Sequence, residues 1–299
     1  MWDRIIKLDG SITESLGGIA YSLTALACVA PENCRIYPVC NAGYDLWPEI
    51  KKSFDSFANI DLSLVRQIPR KNKVHQLTYK GAEYRKELNI GEMPLIRPSL
   101  FNPFRKWSVI WLNYIGGDEF PPRFIKKIKA RYKPLIYLDY HSLSLGKKLI
   151  DKKKLIAERF FRLNNHWRDY TGLADIVQMN HVELQSLFPE VRYDDTDSII
   201  RYGREVLDTG PRIVIVTREE REIVVLSGRR AKPKIDIIQV KPIKAIDPTG
   251  CGDSLGAGFI ASYIKDKNIL KACQNGLSLA RKKAGFSGLK GFTKFGSKS

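Results

Sequence analysis

An α/β fold with a mostly parallel central sheet and helices on both faces follows from three features of the chain. Short apolar runs alternate with longer stretches of helical periodicity. No internal repeat or low-complexity linker interrupts the alternation. The chain has 299 residues and is 43% hydrophobic, which is enough to bury a large core. The spacing predicts strands over 35–39, 108–112, 135–139, 176–179, 212–217 and 222–226. It predicts helices over 19–30, 122–131, 181–188, 197–208, 254–265 and 269–284. One segment breaks the pattern. Lys73 to Lys80 and Glu83 to Asn89, either side of Gly81-Ala82, form a predicted β-hairpin that is too short for a core of its own. We expect it to lie across a single domain spanning 1–299, as a flap at about 72–90 or as an edge hairpin.

Composition excludes several classes. The longest mostly apolar stretch, 19–30, is too short to span a bilayer and contains Ser22 and Thr24. No secretory signal precedes the first charges, so the expected location is cytoplasmic, with no membrane partner. Five cysteines without a C-x-x-C pair argue against a disulfide framework or a zinc site, and the four histidines have no metal-ligand spacing. The net charge of +18 attracts polyanions. The basic residues are dispersed, however, without interleaved aromatics, so no specific nucleic-acid partner is expected. A nucleotide, itself a polyanion, would be drawn by the same charge.

The most informative stretch runs from Asp247 to Phe259, DPTGCGDSLGAGF. Glycines frame a turn that opens directly onto an apolar helix. Gly250, Cys251 and Gly252 can aim successive amides at one anion, and the helix dipole adds to the attraction. Asp253 beside such a site costs Coulomb energy, so it reads as the base that takes a proton from an attacking hydroxyl. In the alternative reading it complements the helix dipole, and Gly256 and Gly258 allow close packing. No GxxxxGK[ST] motif occurs, and a dinucleotide fingerprint would need glycine where Leu255 stands.

Asp247-Pro248-Thr249-Gly250-Cys251-Gly252-Asp253 resembles the D-T-x-G-A-G-D signature of the ribokinase-like (PfkB) carbohydrate and nucleoside kinases, with proline and cysteine as departures. Other landmarks follow in that family's order over nearly the whole chain. Gly17-Gly18 resembles the early double glycine, with Ser22 where asparagine is common. Gly43-Tyr44-Asp45 resembles the next turn, and Asn180-His181-Val182-Glu183 the N-x-x-E motif. That last stretch also reads as a capping-box helix start.

The resemblance implies a ribokinase-like three-layer α/β/α fold with a hairpin lid, and an ATP-dependent phosphotransferase acting on a hydroxyl of a sugar or nucleoside. It assigns Asp253 as base and Gly250, Cys251 and Gly252 as the anion site. Asp247, Thr249, Thr217, Asn275, Asn180 and Glu183 would serve the nucleotide, with Glu183 reaching Mg²⁺ through water. Asp3, Gly17, Gly18 and Asp253 would hold the acceptor. The resemblance also allows a monovalent cation and a homodimer formed through the lid.

Two departures qualify this. The stretch that resembles T-x-G-x-x-G reads Thr217-Arg218-Glu219-Glu220-Arg221-Glu222, with glutamate at both glycine positions. A carboxylate ~4 Å from a phosphate charge costs ~4 kcal/mol at an effective dielectric of ~20. Weakened or rearranged nucleotide binding is therefore expected, unless Arg218 and Arg221 offset it or Glu219 points outward. Only Met1-Trp2 precede Asp3, where the resemblance implies a buried strand. The expectation is a truncated or misassigned start. Together the departures leave a second reading open, a catalytically weak or inactive relative that binds a ligand.

Overall fold

The computed structural model describes residues 1–80, 85–97, 106–117, 119–228, 231–289 and 291–292. In chain order the first elements are β1 (Trp2–Ile6), β2 (Ile12–Leu16), α1 (Ile19–Val29), β3 (Cys40–Gly43), α2 (Trp47–Phe54), β4 (Val65–Ile68), β5 (Val74–Tyr79) and β6 (Arg85–Ile90). Then come β7 (Val109–Asn113), α3 (Pro122–Tyr132), β8 (Leu135–Asp139), β9 (Leu145–Asp151), β10 (Ile156–Phe161), α4 (Trp167–Leu173) and β11 (Ile176–Asn180). The chain closes with α5 (His181–Leu187), α6 (Thr196–Thr209), β12 (Ile213–Arg218), β13 (Glu222–Ser227), β14 (Lys234–Gln239), α7 (Cys251–Asp266) and α8 (Ile269–Ala284). These elements form two compact units. One comprises Met1–Phe101, Lys147–Phe160 and Lys244–Ser299, and the other Asn102–Gly146 and Phe161–Ile243.

The second unit carries the parallel sheet, in the order β14-β13-β12-β11-β8-β7. Strands β7, β8, β11 and β12 run parallel, and β13 and β14 complete the sheet antiparallel. The inner strands β8, β11, β12 and β13 are mostly apolar, as strands covered on both faces must be. Ile136, Leu138, Val177, Val214, Ile215, Val216, Val224 and Leu226 are fully buried. Helix α6 packs on β12 and β13, and a Cβ on its Gly203 would come within 2.8 Å of the Leu226 side chain.

In the first unit a six-stranded sheet runs β2-β1-β5-β6-β10-β9. The predicted hairpin is β5 and β6, with the 81–84 turn outside the described residues. It is not a lone flap, since β1 pairs parallel to β5 and β10 pairs antiparallel to β6. Helices α1, α7 and α8 pack together in the same unit. Gly258 and Gly276 make this possible. A Cβ on Gly258 would lie 2.8 Å from the Gly276 Cα, and one on Gly276 would lie 2.5 Å from the Leu255 carbonyl oxygen.

One expected strand is displaced. In 35–39 only Ile36 bridges, to Ile60, and the strand forms instead at β3, paired with β4. Pro38 lacks the N–H that a continuous ladder would need. No helix among the described residues is long and apolar enough to cross a membrane, and all five cysteines are free.

Candidate active site

Asp247 to Asp253 fold into a tight turn at the head of α7. Gly250 caps the helix at φ 84° and ψ 7°, a left-handed conformation that glycine adopts without strain. A Cβ there would also stand 2.5 Å from the Tyr21 ring. The Asp247 carboxylate organises the turn. Its Oδ1 accepts the Thr249 amide at 2.9 Å, and its Oδ2 accepts the Gly288 amide and the Ser287 hydroxyl at 3.2 Å. Burial works against this carboxylate, but the Thr249 amide and the Lys283 charge outweigh it and hold Asp247 below its ordinary pKa. Cys251 N–H donates to the Pro248 carbonyl at 3.1 Å, so this amide is used inside the turn.

Asp253 is half-buried in the first turn of α7. Its Oδ1 accepts a hydrogen bond from the Ser22 hydroxyl on α1, so the packing of α1 on α7 holds the carboxylate. Ser22 is therefore part of this site, and its only sequence signal is its place after the double glycine. The two glycines serve different needs. Gly17 has no room for a side chain, because a Cβ would fall 1.9 Å from the Asp3 Cγ, whereas Gly18 caps α1 at φ 60° and ψ −131°. Asp3, on β1, is buried, and no hydrogen-bond partner reaches its Oδ1. Burial lifts its pKa to about 7, and the negative charges of Asp253 and Glu87 add to the rise.

Asn275 lies exposed on α8, where its Nδ2 donates to the Ser262 hydroxyl of α7 at 2.9 Å. Asp45 of the Gly43-Tyr44-Asp45 turn accepts the Asn72 amide at 2.9 Å, a structural role at the entry to β5.

In the second unit, Asn180 and Thr217 are register partners at the carboxyl ends of β11 and β12. This is the edge where open parallel sheets bind ligands. Asn180 and Glu183 form the expected capping box, with Asn180 Oδ1 accepting the Glu183 amide and Glu183 Oε2 accepting the Asn180 amide, both at 2.8 Å. Glu183 Oε1 also meets Asn180 Nδ2 at 2.9 Å and His141 Nδ1 at 3.0 Å. Both oxygens are thus engaged and the side chain is buried, so Glu183 fits a metal only through water. No cluster of three or more His, Cys, Asp or Glu among the described residues could hold a metal ion directly.

The two glutamates at glycine positions behave differently from each other. Glu222 is buried against Arg218 at 2.8 Å, and it also accepts the Thr196 hydroxyl at 2.8 Å. Its charge is balanced inside the protein, and the phosphate repulsion expected of it does not apply. Glu219 is exposed, at φ 44°, in the backbone region that glycine would favour. Glu222→Ala should leave Arg218 buried without its carboxylate and lower unfolding stability by about 3–5 kcal/mol, measurable by urea titration.

A monovalent ion beside the 247–253 turn does not fit the residues present. The oxygens that gather there, the Asp247 carbonyl and Oδ2 and the Phe286 carbonyl, already surround the Lys283 ammonium at 3.3, 3.6 and 3.0 Å.

Residues 159–290 match the family model "pfkB family carbohydrate kinase". Over that stretch the chain is similar to the PfkB carbohydrate kinases. It is 23% identical over 287 residues to a cytidine kinase of Thermococcus kodakarensis, covering 93% of this chain and 91% of that one. Its fold is similar to that of a pyrophosphate-dependent kinase in the ribokinase family, with TM-score 0.76, 14% identity, and 97% and 96% of the two chains covered. It is also similar to the ribokinase of Giardia lamblia, with TM-score 0.74, 14% identity, and 97% and 92% covered. The homology is that of a kinase.

Proposed function

We propose that the chain transfers the γ-phosphoryl group of ATP to a hydroxyl of a nucleoside. The observation that carries the reading is Asp253, held by Ser22 in the first turn of a helix that opens on a left-handed glycine turn. Asp253 removes the hydroxyl proton as the oxygen attacks phosphorus, and the bond from phosphorus to the bridging oxygen of ADP breaks. The amides of Gly250 and Gly252 stabilise the charge on the transferring group, and the Cys251 amide joins them once it exchanges the Pro248 carbonyl for phosphate. Thr217, Thr249, Asp247, Asn275 and Asn180 serve the nucleotide. Magnesium, bound by phosphate oxygens and water, would meet Glu183 through that water. The buried pairing of Glu222 removes one motive for reading the chain as inactive.

Preference for a nucleoside over a sugar rests on the lid sheet. Asp3, His75 and Asn89 are register partners on β1, β5 and β6, and all three are buried. The row spans two strand spacings, about 10 Å, which one monosaccharide ring cannot bridge and a nucleoside can. Asp3 sits at the end nearer Gly17 and would take ribose hydroxyls. Asn89 stands at the other end with neither its amide nitrogen nor its amide oxygen hydrogen-bonded. A side-chain amide offering one donor and one acceptor matches the paired donor and acceptor on the edge of an amino-bearing base. The name of the cytidine kinase relative agrees with this choice.

The test is ADP release across cytidine, adenosine, uridine, ribose, fructose and myo-inositol, with pyrophosphate as a second donor. Amino-bearing nucleosides should be preferred, and Asn89→Ala should raise their KM by roughly 10-fold or more with kcat nearly unchanged. Preference for a free sugar would reject the nucleoside reading. The exposed Leu149 and Ile150 of β9, Phe160 of β10 and Leu155 between the two strands support a homodimer formed through this sheet, which sedimentation would test.

A further inference from the structure

Lys283 lies in the last turn of α8, where basic residues commonly meet the terminal carbonyls from the surface. Its neighbour Lys282 does lie at the surface, but Lys283 is 0% exposed. Taking an ammonium out of water costs several kcal/mol unless oxygens replace its hydration. Here they do. The Phe286 carbonyl, the Asp247 carbonyl and the Asp247 carboxylate surround it at 3.0, 3.3 and 3.6 Å. The rings of Phe286 and Tyr21 lie beneath the charge at 5.0 and 5.7 Å. Asp247 opens the transfer turn, and the same Tyr21 ring lies against Gly250. The charge is thus tied to both ends of the segment that must receive a phosphoryl anion.

We propose that Lys283 is the resident cation of the transfer turn. It holds Asp247 and the 286 carbonyl in place and adds fixed positive charge behind the anion site, so that turnover needs no potassium or sodium ion. Lys283 is a positioning residue, and this assignment rests on the reading of 247–253 as the transfer centre. Surface pairing of a lysine with a helix end would not bury the whole side chain, and a purely apolar filler would not need three oxygens.

Wild-type turnover with choline, sodium or potassium as the sole monovalent cation should agree within roughly 2-fold. Stimulation by potassium of roughly 10-fold or more would overturn the assignment while leaving the transfer centre intact. Lys283→Met should lower kcat by roughly 100-fold with little change in acceptor KM. Potassium or ammonium ions should restore part of that loss and raise the variant's melting temperature, and should do neither for the wild type. A variant with full kcat, or one whose melting temperature ignores both ions, would count against the proposal. If no acceptor is turned over under any condition, the transfer-centre reading fails, and the paired melting curves still decide whether Lys283 replaces an ion. Should Lys283→Met not fold, the wild-type comparison of cations decides by itself.

Discussion

Asp253→Asn is expected to lower kcat by roughly 10²–10⁴-fold, the range supplied by a positioned general base, while the acceptor KM changes little. The substitution is nearly isosteric. An asparagine oxygen can still accept the Ser22 hydroxyl that now bonds to Asp253 Oδ1, so α1 and α7 keep their contact. Asparagine cannot take a proton. Loss of rate at an unchanged melting temperature is therefore the signature of a missing base rather than a disturbed fold. Steady-state ADP release measured beside thermal unfolding checks both halves of the expectation. A variant that keeps kcat within roughly 10-fold of the wild type would show that the hydroxyl proton leaves by another route.

Long segments with uniform burial were the legible part of the chain. Helix α8 and strand β8 fall where apolar spacing puts them, and α7 gains the residues of its own glycine turn and Asp266, because Leu255, Phe259 and Ile260 make one buried face. The six-stranded sheet of the first unit was read only in part. Strands β1 and β2 mix charged and apolar residues without clear alternation, and they exist because β5 offers β1 a ladder. The basic run around 147–154 hides β9 for the same reason.

The site divided along similar lines. A glycine turn followed by aspartate at the head of a helix can be read from sequence alone. What surrounds a charge cannot. Glu222 reads as a threat to phosphate until the hairpin folds it back onto Arg218, and nothing in the dispersed basic residues of the sequence marks Lys283 as a buried one. Both depend on neighbours distant in sequence or reversed by a turn, which local periodicity does not encode.

Asp3→Asn should stabilise the protein at pH 8 and have little effect on stability near pH 4, while weakening acceptor binding. The folded Asp3 carboxyl titrates near 7, above its unfolded value of 3.8. Below pH 4 it is protonated in both states and carries no penalty. Between pH 4 and 7 the unfolded chain gives up the proton and the folded chain retains it, so stability falls as pH rises. Above pH 7 both states are ionised and the loss is complete, of the order of 4 kcal/mol at about 1.4 kcal/mol per pH unit. Asparagine cannot ionise, so the gap in melting temperature between variant and wild type should widen from pH 4.5 to pH 8. A gap that stays constant would mean that Asp3 ionises as freely in the folded protein as in water. The same substitution should raise acceptor KM by roughly 10–100-fold at pH 8, because a charged hydrogen bond to a hydroxyl is worth about 1.5–3 kcal/mol. Holding an aspartate where it resists ionisation thus costs stability and leaves an oxygen without a partner, and Gly17 gives up its side chain to make the room. On the proposed reading, an acceptor hydroxyl that donates to Asp3 would relieve this combination and tighten the fold as it binds.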